Sequence, residues 1–297
     1  MLQLPDTYII YGANSAIGSQ LLKLFLPHVE RLIGFYHKNK DRIEGVIDIS
    51  PSNTREKVSP PLKSTTPSRI TPLYPPLVRG VATPLIATSQ APRNDEKGNI
   101  TLYQSDITDF DNLLEKMSDI NQRFKINNLS LVFFPAIRSY DGQPLLNTSL
   151  DITKEIIDVN LMGAIHFLKA TINAFSNVKS KRYVLLGSNV SKHGLPNGSV
   201  YAATKAAIVN LVKTIAKEEG KNNTLINVVS PGPVETDSSG FSDVYSRFRT
   251  EYFQAQKALT STGNLASIDD VCNLIVYLSS LENKHITGEE IFIDGGV

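Results

Sequence analysis

Apolar positions gather into short blocks separated by stretches with helical spacing. Thr7–Tyr11 (TYIIY), Arg31–Tyr36 (RLIGFY), Ile100–Gln104 (ITLYQ), Leu129–Phe134 (LSLVFF), Lys181–Gly187 (KRYVLLG), Leu225–Val229 (LINVV) and Glu290–Ile293 (EIFI) are brief runs rich in β-branched and aromatic residues. Runs of this length bounded by turn residues predict buried strands. Apolar residues at helical spacing predict helices over Gln20–Leu26, from Asp109 to about Phe124, over Asp151–Ala174, Val200–Glu219 and Ile268–Leu281. Strand and helix alternate in chain order, which predicts an α/β domain with a doubly wound parallel sheet and helices on both faces. Such sheets bind ligands beyond the carboxyl ends of their strands.

The alternation breaks once. Nine of the sixteen prolines lie between Pro51 and Pro92, and no periodicity survives over residues 51–99. Proline removes backbone donors and fixes φ, so this stretch is expected to be a largely disordered surface insertion in an otherwise single domain. It resembles the translated repeat elements found inside some bacterial genes. Composition adds exclusions. With 41% hydrophobic and 20% charged residues and a net charge of +1, no electrostatic case exists for nucleic acid or an anionic membrane. Cys272 is the sole cysteine and the five histidines are scattered, which removes a disulfide framework and argues against a metal site. No apolar run reaches membrane-spanning length and the start lacks a basic, cleavable leader pattern, so a cytoplasmic protein is expected.

Two stretches carry chemistry. The first strand runs directly into Gly12-Ala13-Asn14-Ser15-Ala16-Ile17-Gly18 and then a helix. Small residues let the backbone approach a pyrophosphate, and a helix N-terminus favours its charge; an ordinary tight turn is the plainer alternative. The tip of the second strand, Tyr36-His37-Lys38, has no carboxylate before Asp41, which suits the 2′-phosphate of NADP(H) over NAD(H). The second stretch is Ser188–Lys205. Tyr201 and Lys205 share a helix face at i, i+4. An ammonium beside a phenol lowers its pKa toward that of a working acid–base catalyst, and Ser188 at a strand end can polarise a substrate carbonyl. The same Tyr–Lys spacing recurs at Tyr36 and Lys40, so the pair alone is not specific.

Together these motifs resemble the short-chain dehydrogenase/reductase family, its 3-oxoacyl thioester reductase branch in particular, over nearly the whole chain except residues 51–99. The resemblance implies a Rossmann-type fold and a catalytic tetrad of Asn160, Ser188, Tyr201 and Lys205. Tyr201 would be the proton donor in ketone reduction, Lys205 would hold the nicotinamide ribose, and Asn160 would interrupt its helix and seat a relay water. It further implies a cofactor site of Gly12, Asn14, Ser15, Ile17, Gly18, His37, Lys38, Asp106, Ile107, Ala136, Pro231, Gly232, Val234 and Thr236, together with Tyr201 and Lys205. A substrate lid over residues 237–260 and a homodimer or homotetramer packed through the Asn160 and Tyr201 helices complete the expectation. The chain departs from the pattern at Tyr11, where threonine is usual, at Ala16, where the loop has glycine, and at Val132–Ile137 (VFFPAI), which lacks the asparagines and glycine of VNNAGI.

The reading that follows is an NAD(P)H-dependent oxidoreductase acting on a small carbonyl or alcohol. The altered loop and the insertion motivate an alternative, a non-catalytic binding or scaffold protein on the same fold.

Overall fold

The computed structural model describes residues 2–37, 93–94, 100–134, 143–235 and 243–297. Among the described residues, eight strands form one sheet in the order β3-β4-β2-β1-β5-β6-β7-β8. They are β1 (Thr7–Tyr11), β2 (Arg31–Tyr36), β3 (Arg93–Asn94), β4 (Ile100–Gln104), β5 (Asn128–Phe133), β6 (Ser180–Leu186), β7 (Thr224–Pro231) and β8 (Glu290–Ile293). Seven are parallel; β3 alone runs antiparallel, pairing Arg93 with Leu102 and Asn94 with Thr101. So the stretch 51–99, expected to hold no element, contributes one two-residue strand at the sheet edge; its other residues lie outside the described ones.

Helices α1 (Ala16–Phe25), α2 (Phe110–Arg123), α3 (Leu150–Ile156), α4 (Gly163–Ala174), the short α5 (Val190–His193), α6 (Ser199–Glu219), α7 (Asp243–Leu259) and α8 (Ile268–Ser279) connect the strands. Alternation along β1 shows how one sequence covers two faces. Ile9 and Tyr11 join the core beneath α2, α4 and α6, while Tyr8 and Ile10 join the core beneath α1 and α8. The central strands are buried along their length, as a doubly covered parallel sheet requires. This is the predicted doubly wound architecture.

The strand order reverses direction at β1, which is flanked by β2 on one side and β5 on the other. The crevice of an open sheet lies at this switch point. The carboxyl ends of β1, β5, β6 and β7 meet there, bringing together Gly12, Phe134, Ser188 and Pro231. Between α3 and α4, Ile157–Met162 winds as a π-helix with Asn160 inside it, fully buried. The predicted single helix over Asp151–Ala174 is therefore interrupted at Asn160, as expected from the resemblance.

Candidate active site

The first wall of the site is the turn from β1 into α1. Gly12 has φ +90°, and a Cβ there would lie 2.8 Å from the Phe134 Cβ. A Cβ on Gly18 would lie 2.3 Å from the Gly12 carbonyl oxygen. Both glycines are demanded by backbone shape and close approach. Ser15 caps α1, its Oγ accepting from the Gly18 N–H at 3.0 Å. Such a cap contributes about 1 kcal/mol. The capping bond uses a lone pair, so the Ser15 proton stays available for an anionic oxygen. Asn14 is half-buried beside it, and Ile17 is buried against the sheet.

Phe134 stands where the resemblance leads one to expect asparagine, and Tyr11 where it leads one to expect threonine. Tyr11 lies against Phe35, Phe133 and Phe167 with ring centroids 5.6, 5.6 and 6.1 Å away. Its hydroxyl passes across to donate to the Ser105 carbonyl at 2.9 Å. Ser105 precedes Asp106 and Ile107, so an aromatic side chain braces the end of β4 from β1.

Asp106 Oδ1 accepts from the Thr108 N–H at 2.9 Å and the Thr108 hydroxyl at 2.8 Å. His166 Nδ1 lies 2.9 Å from the Ile107 carbonyl oxygen. Gly163 lets the helix approach, since a Cβ there would meet Ile107 Cγ1 at 2.9 Å. The sequence offered no reason to connect His166 or Gly163 with this turn, because the link is tertiary. His37, at the tip of β2, has its Nδ1 3.8 Å from Asp106 Oδ2. The tip that lacks a local carboxylate in sequence thus has one in space, contributed by the neighbouring strand. Lys38, Ala136 and Thr236 lie outside the described residues.

The second wall holds the reactive side chains. Ser188 follows β6, and α6 presents Tyr201 and Lys205 to it. The Ser188 hydroxyl faces Tyr201 closely enough to favour its ionised form. Burial pushes the Tyr201 phenol up to about 12, the Ser188 hydroxyl pulls it down, and Tyr252 of α7 raises it further. Lys205 is 1% exposed; its Nζ donates to the Leu186 carbonyl at 3.1 Å and sits 5.6 Å from the Tyr201 ring centroid. Burial pulls the Lys205 ammonium down to about 7. The expectation that Lys205 would lower the Tyr201 pKa is therefore corrected for the protein alone. Removing the phenol and the amine from water disfavours both charged forms, and burial is the largest influence on each. Asn160 lies on the π-helix that packs against α6.

The floor beyond β7 is set by main-chain bonds. Gly232 N–H donates to the Ile293 carbonyl at 2.9 Å, Asn189 N–H to the Pro231 carbonyl at 3.0 Å, and Glu235 N–H to the Ala266 carbonyl at 3.0 Å. Val234 forms a parallel bridge with Ala266. Within the expected lid, residues 243–259 are helical.

These features fit a dinucleotide. A glycine cradle opens onto a capped helix N-terminus, Asp106 and Ile107 flank it, and Tyr201 and Lys205 close the far end. Among the described residues no cluster of His, Cys, Asp or Glu could hold a metal ion. Fold and site together define a Rossmann-type α/β protein with a serine–tyrosine–lysine centre at its switch-point crevice.

The family model described as Enoyl-(Acyl carrier protein) reductase matches residues 85–297. The chain belongs to the short-chain dehydrogenase/reductase family. It is 30% identical over 144 residues to the 3-oxoacyl-[acyl-carrier-protein] reductase FabG of Escherichia coli K12, a match covering 48% of this chain and 56% of the relative. The FabG of Chlamydia muridarum is 28% identical over 154 residues, covering 52% and 59%. The chain thus spans a little over half the length of these relatives. Among solved structures, a Brucella melitensis short-chain dehydrogenase/reductase described as a glucose/ribitol dehydrogenase superposes with TM-score 0.72 at 20% identity, covering 99% of this chain and 98% of that one. ElxO with NADP bound gives TM-score 0.72 at 21% identity, covering 98% of each. Likeness at this identity speaks to the fold.

Proposed function

We propose that this chain is a nicotinamide-dependent oxidoreductase that reduces a small carbonyl compound, with NADPH preferred and 3-oxoacyl thioesters as the substrate class. The observation that carries the reading is the convergence of Ser188, Tyr201 and Lys205 at the carboxyl end of β6, where Lys205 Nζ donates to the Leu186 carbonyl at 3.1 Å and lies 5.6 Å from the Tyr201 ring centroid. When bound, the cofactor supplies the hydride; the protein's work is orientation and proton transfer. The Ser188 hydroxyl donates to the substrate carbonyl oxygen and polarises it. Tyr201, kept protonated at neutral pH by burial, gives its phenolic proton to the same oxygen as negative charge develops. Lys205 binds the nicotinamide ribose hydroxyls and Asn160 seats a water that returns a proton. Gly12, Asn14, Ser15, Ile17 and Gly18 take the pyrophosphate side, and Asp106, Ile107 and Ala136 the adenosine. Pro231, Gly232, Val234 and Thr236 take the carboxamide end. α7 shields the reaction from water.

The NADPH preference draws on His37 and Lys38 and on the NADP-bound neighbour. Asp106 beside His37 works against a 2′-phosphate, so a direct comparison is needed. Fluorescence titration with NADPH and NADH is expected to give tighter NADPH binding; tighter NADH binding reverses the cofactor assignment. Tyr201→Phe is expected to abolish acetoacetyl-thioester reduction with NADPH binding nearly intact, and turnover at the wild-type rate in that variant would reject the mechanism. No described helix is long and apolar enough to span a membrane, and a cytoplasmic homodimer or homotetramer is the setting this reading implies. A second reading, a non-catalytic binding protein, draws on Phe134 packed over Gly12; NADPH oxidation with any carbonyl substrate excludes it.

A further inference from the structure

The turn carrying Ser188 is held by a carboxylate that the proposed chemistry leaves unused. Ser230, fully buried near the end of β7, donates its hydroxyl to Glu290 Oε1 at 2.6 Å. Ser191, in α5 just beyond Ser188, directs its hydroxyl to the same oxygen at 2.5 Å. Glu290 opens β8, so one carboxylate oxygen joins β7, β8 and the Ser188 turn. The link continues to Ser188 itself. Its carbonyl accepts the Ser191 N–H at 3.0 Å; the Ser191 hydroxyl, 2.7 Å from the same oxygen, has a single proton to share between that carbonyl and Glu290 Oε1. The turn lies close against β7, where only a glycine fits: a Cβ on Gly187 would stand 2.2 Å from Ser230 Oγ. Lys192 Nζ rests 5.4 Å from the Phe292 ring centroid, a second contact between α5 and β8.

Hydroxyl-to-carboxylate bonds are roughly twice as strong as neutral ones, and a two-donor bridge restrains direction as well as distance. The other side chains of β8 around Glu290 are apolar (Ile291, Phe292, Ile293), so an acidic residue here is not required by the strand.

We propose that Glu290 is a positioning residue for Ser188. Through Ser230 and Ser191 it fixes the turn after β6, and so sets where the Ser188 hydroxyl meets Tyr201 and the substrate carbonyl. The role rests on the reading of Ser188 as the group that holds that carbonyl.

The test combines steady-state reduction of acetoacetyl-CoA by NADPH, NADPH titration, and amide exchange of residues 188–194 in Glu290→Ala, Glu290→Gln and Ser191→Ala. Glu290→Ala is expected to lower kcat roughly ten- to hundredfold. NADPH affinity is expected to stay within about twofold, a split that general loss of structure would not produce. Glu290→Gln keeps an acceptor oxygen and is expected to retain most of kcat. Exchange should quicken in the alanine variant and not in the glutamine one. The Ser191→Ala/Glu290→Ala double variant should lose no more than Glu290→Ala alone, since both break one link. Wild-type kcat with unchanged exchange in Glu290→Ala overturns the proposal, as does a loss that glutamine fails to restore. If Glu290→Ala does not fold, Ser191→Ala, half-exposed, carries the same expectations. If the wild-type protein binds NADPH but reduces no carbonyl, the proposed activity fails, and the exchange comparison still decides whether Glu290 holds the turn.

Discussion

At the residue scale, the site is governed by the cost of burying charge. Lys205 carries its amine with 1% exposure, and its pKa falls to about 7 from 10.5. Between those two values the unfolded chain binds a proton at this lysine and the folded chain does not. Folding stability from this group therefore rises with pH over that window, by an amount of order a few kcal/mol. The window closes near pH 10. Above that, tyrosines in the unfolded chain ionise while Tyr201, raised to about 12, stays neutral, and stability falls again. Lys205→Met removes the lysine contribution. The wild-type Tm is expected to climb relative to that of Lys205→Met as pH goes from 7 to 10; a pH-independent difference would sink the buried-lysine account. The same variant is expected to lose NADPH affinity and turnover, so the residue that lowers stability near neutral pH is one the chemistry needs. None of this is legible from the i, i+4 spacing. Spacing places the two groups on one face, whereas burial, which sets both pKa directions, comes from the sheet beneath them.

At the element scale, the π-helix sits where two requirements meet. It holds Asn160 fully buried and delivers Gly163 onto Ile107, whose side chain is itself buried. Ile107 is held from two sides and cannot retreat, so Gly163→Ala overpacks this contact at about 1–3 kcal/mol. A Tm lower by about 3–10 °C is expected, with NADPH binding weakened several-fold and kcat at saturating cofactor unchanged. Wild-type affinity in that variant would separate Ile107 from the cofactor. The strands Arg31–Tyr36, Ile100–Gln104 and Glu290–Ile293 follow from pattern alone, since short apolar runs bounded by turn residues have few other fates in an alternating α/β chain. Helix starts are less legible. α1 begins at Ala16 rather than Gln20 because Ser15 caps it, while the small residues after it read as turn. The π-helix leaves no periodic mark; only the family resemblance to Asn160 anticipated it. Asp106 beside His37, Tyr11 on Ser105 and His166 on Ile107 are all long-range pairings that a linear pattern does not encode.

At the scale of the whole molecule, two expectations concern what surrounds the domain. The first is that residues 51–99 interrupt it without completing it. Of that stretch, the described residues place Arg93–Asn94 in the sheet, as an antiparallel edge pair. A chain lacking 51–92 is expected to keep its Tm within a few degrees and its NADPH binding; failure to fold would make the segment part of the domain. The second is assembly. Leu145, Leu146 and Leu150 are 60%, 96% and 84% exposed, and Ile157 and Met162 follow them onto the surface at 37% each. Contiguous exposed apolar side chains of this kind mark an interaction surface, and α6 leaves Ala203 and Ala206 exposed, small enough for close helix approach. A self-complementary patch closes by two-fold symmetry. Light scattering on a size-exclusion column is expected to give a dimer or tetramer at micromolar concentration. Leu146→Glu with Leu150→Glu should place charges against their own copies across the two-fold axis and shift the protein to a smaller species. NADPH binding should be unaffected, because neither leucine is among the residues assigned to the cofactor. A wild-type monomer would reject the assembly, and a dimer indifferent to both charges would move the interface off this face.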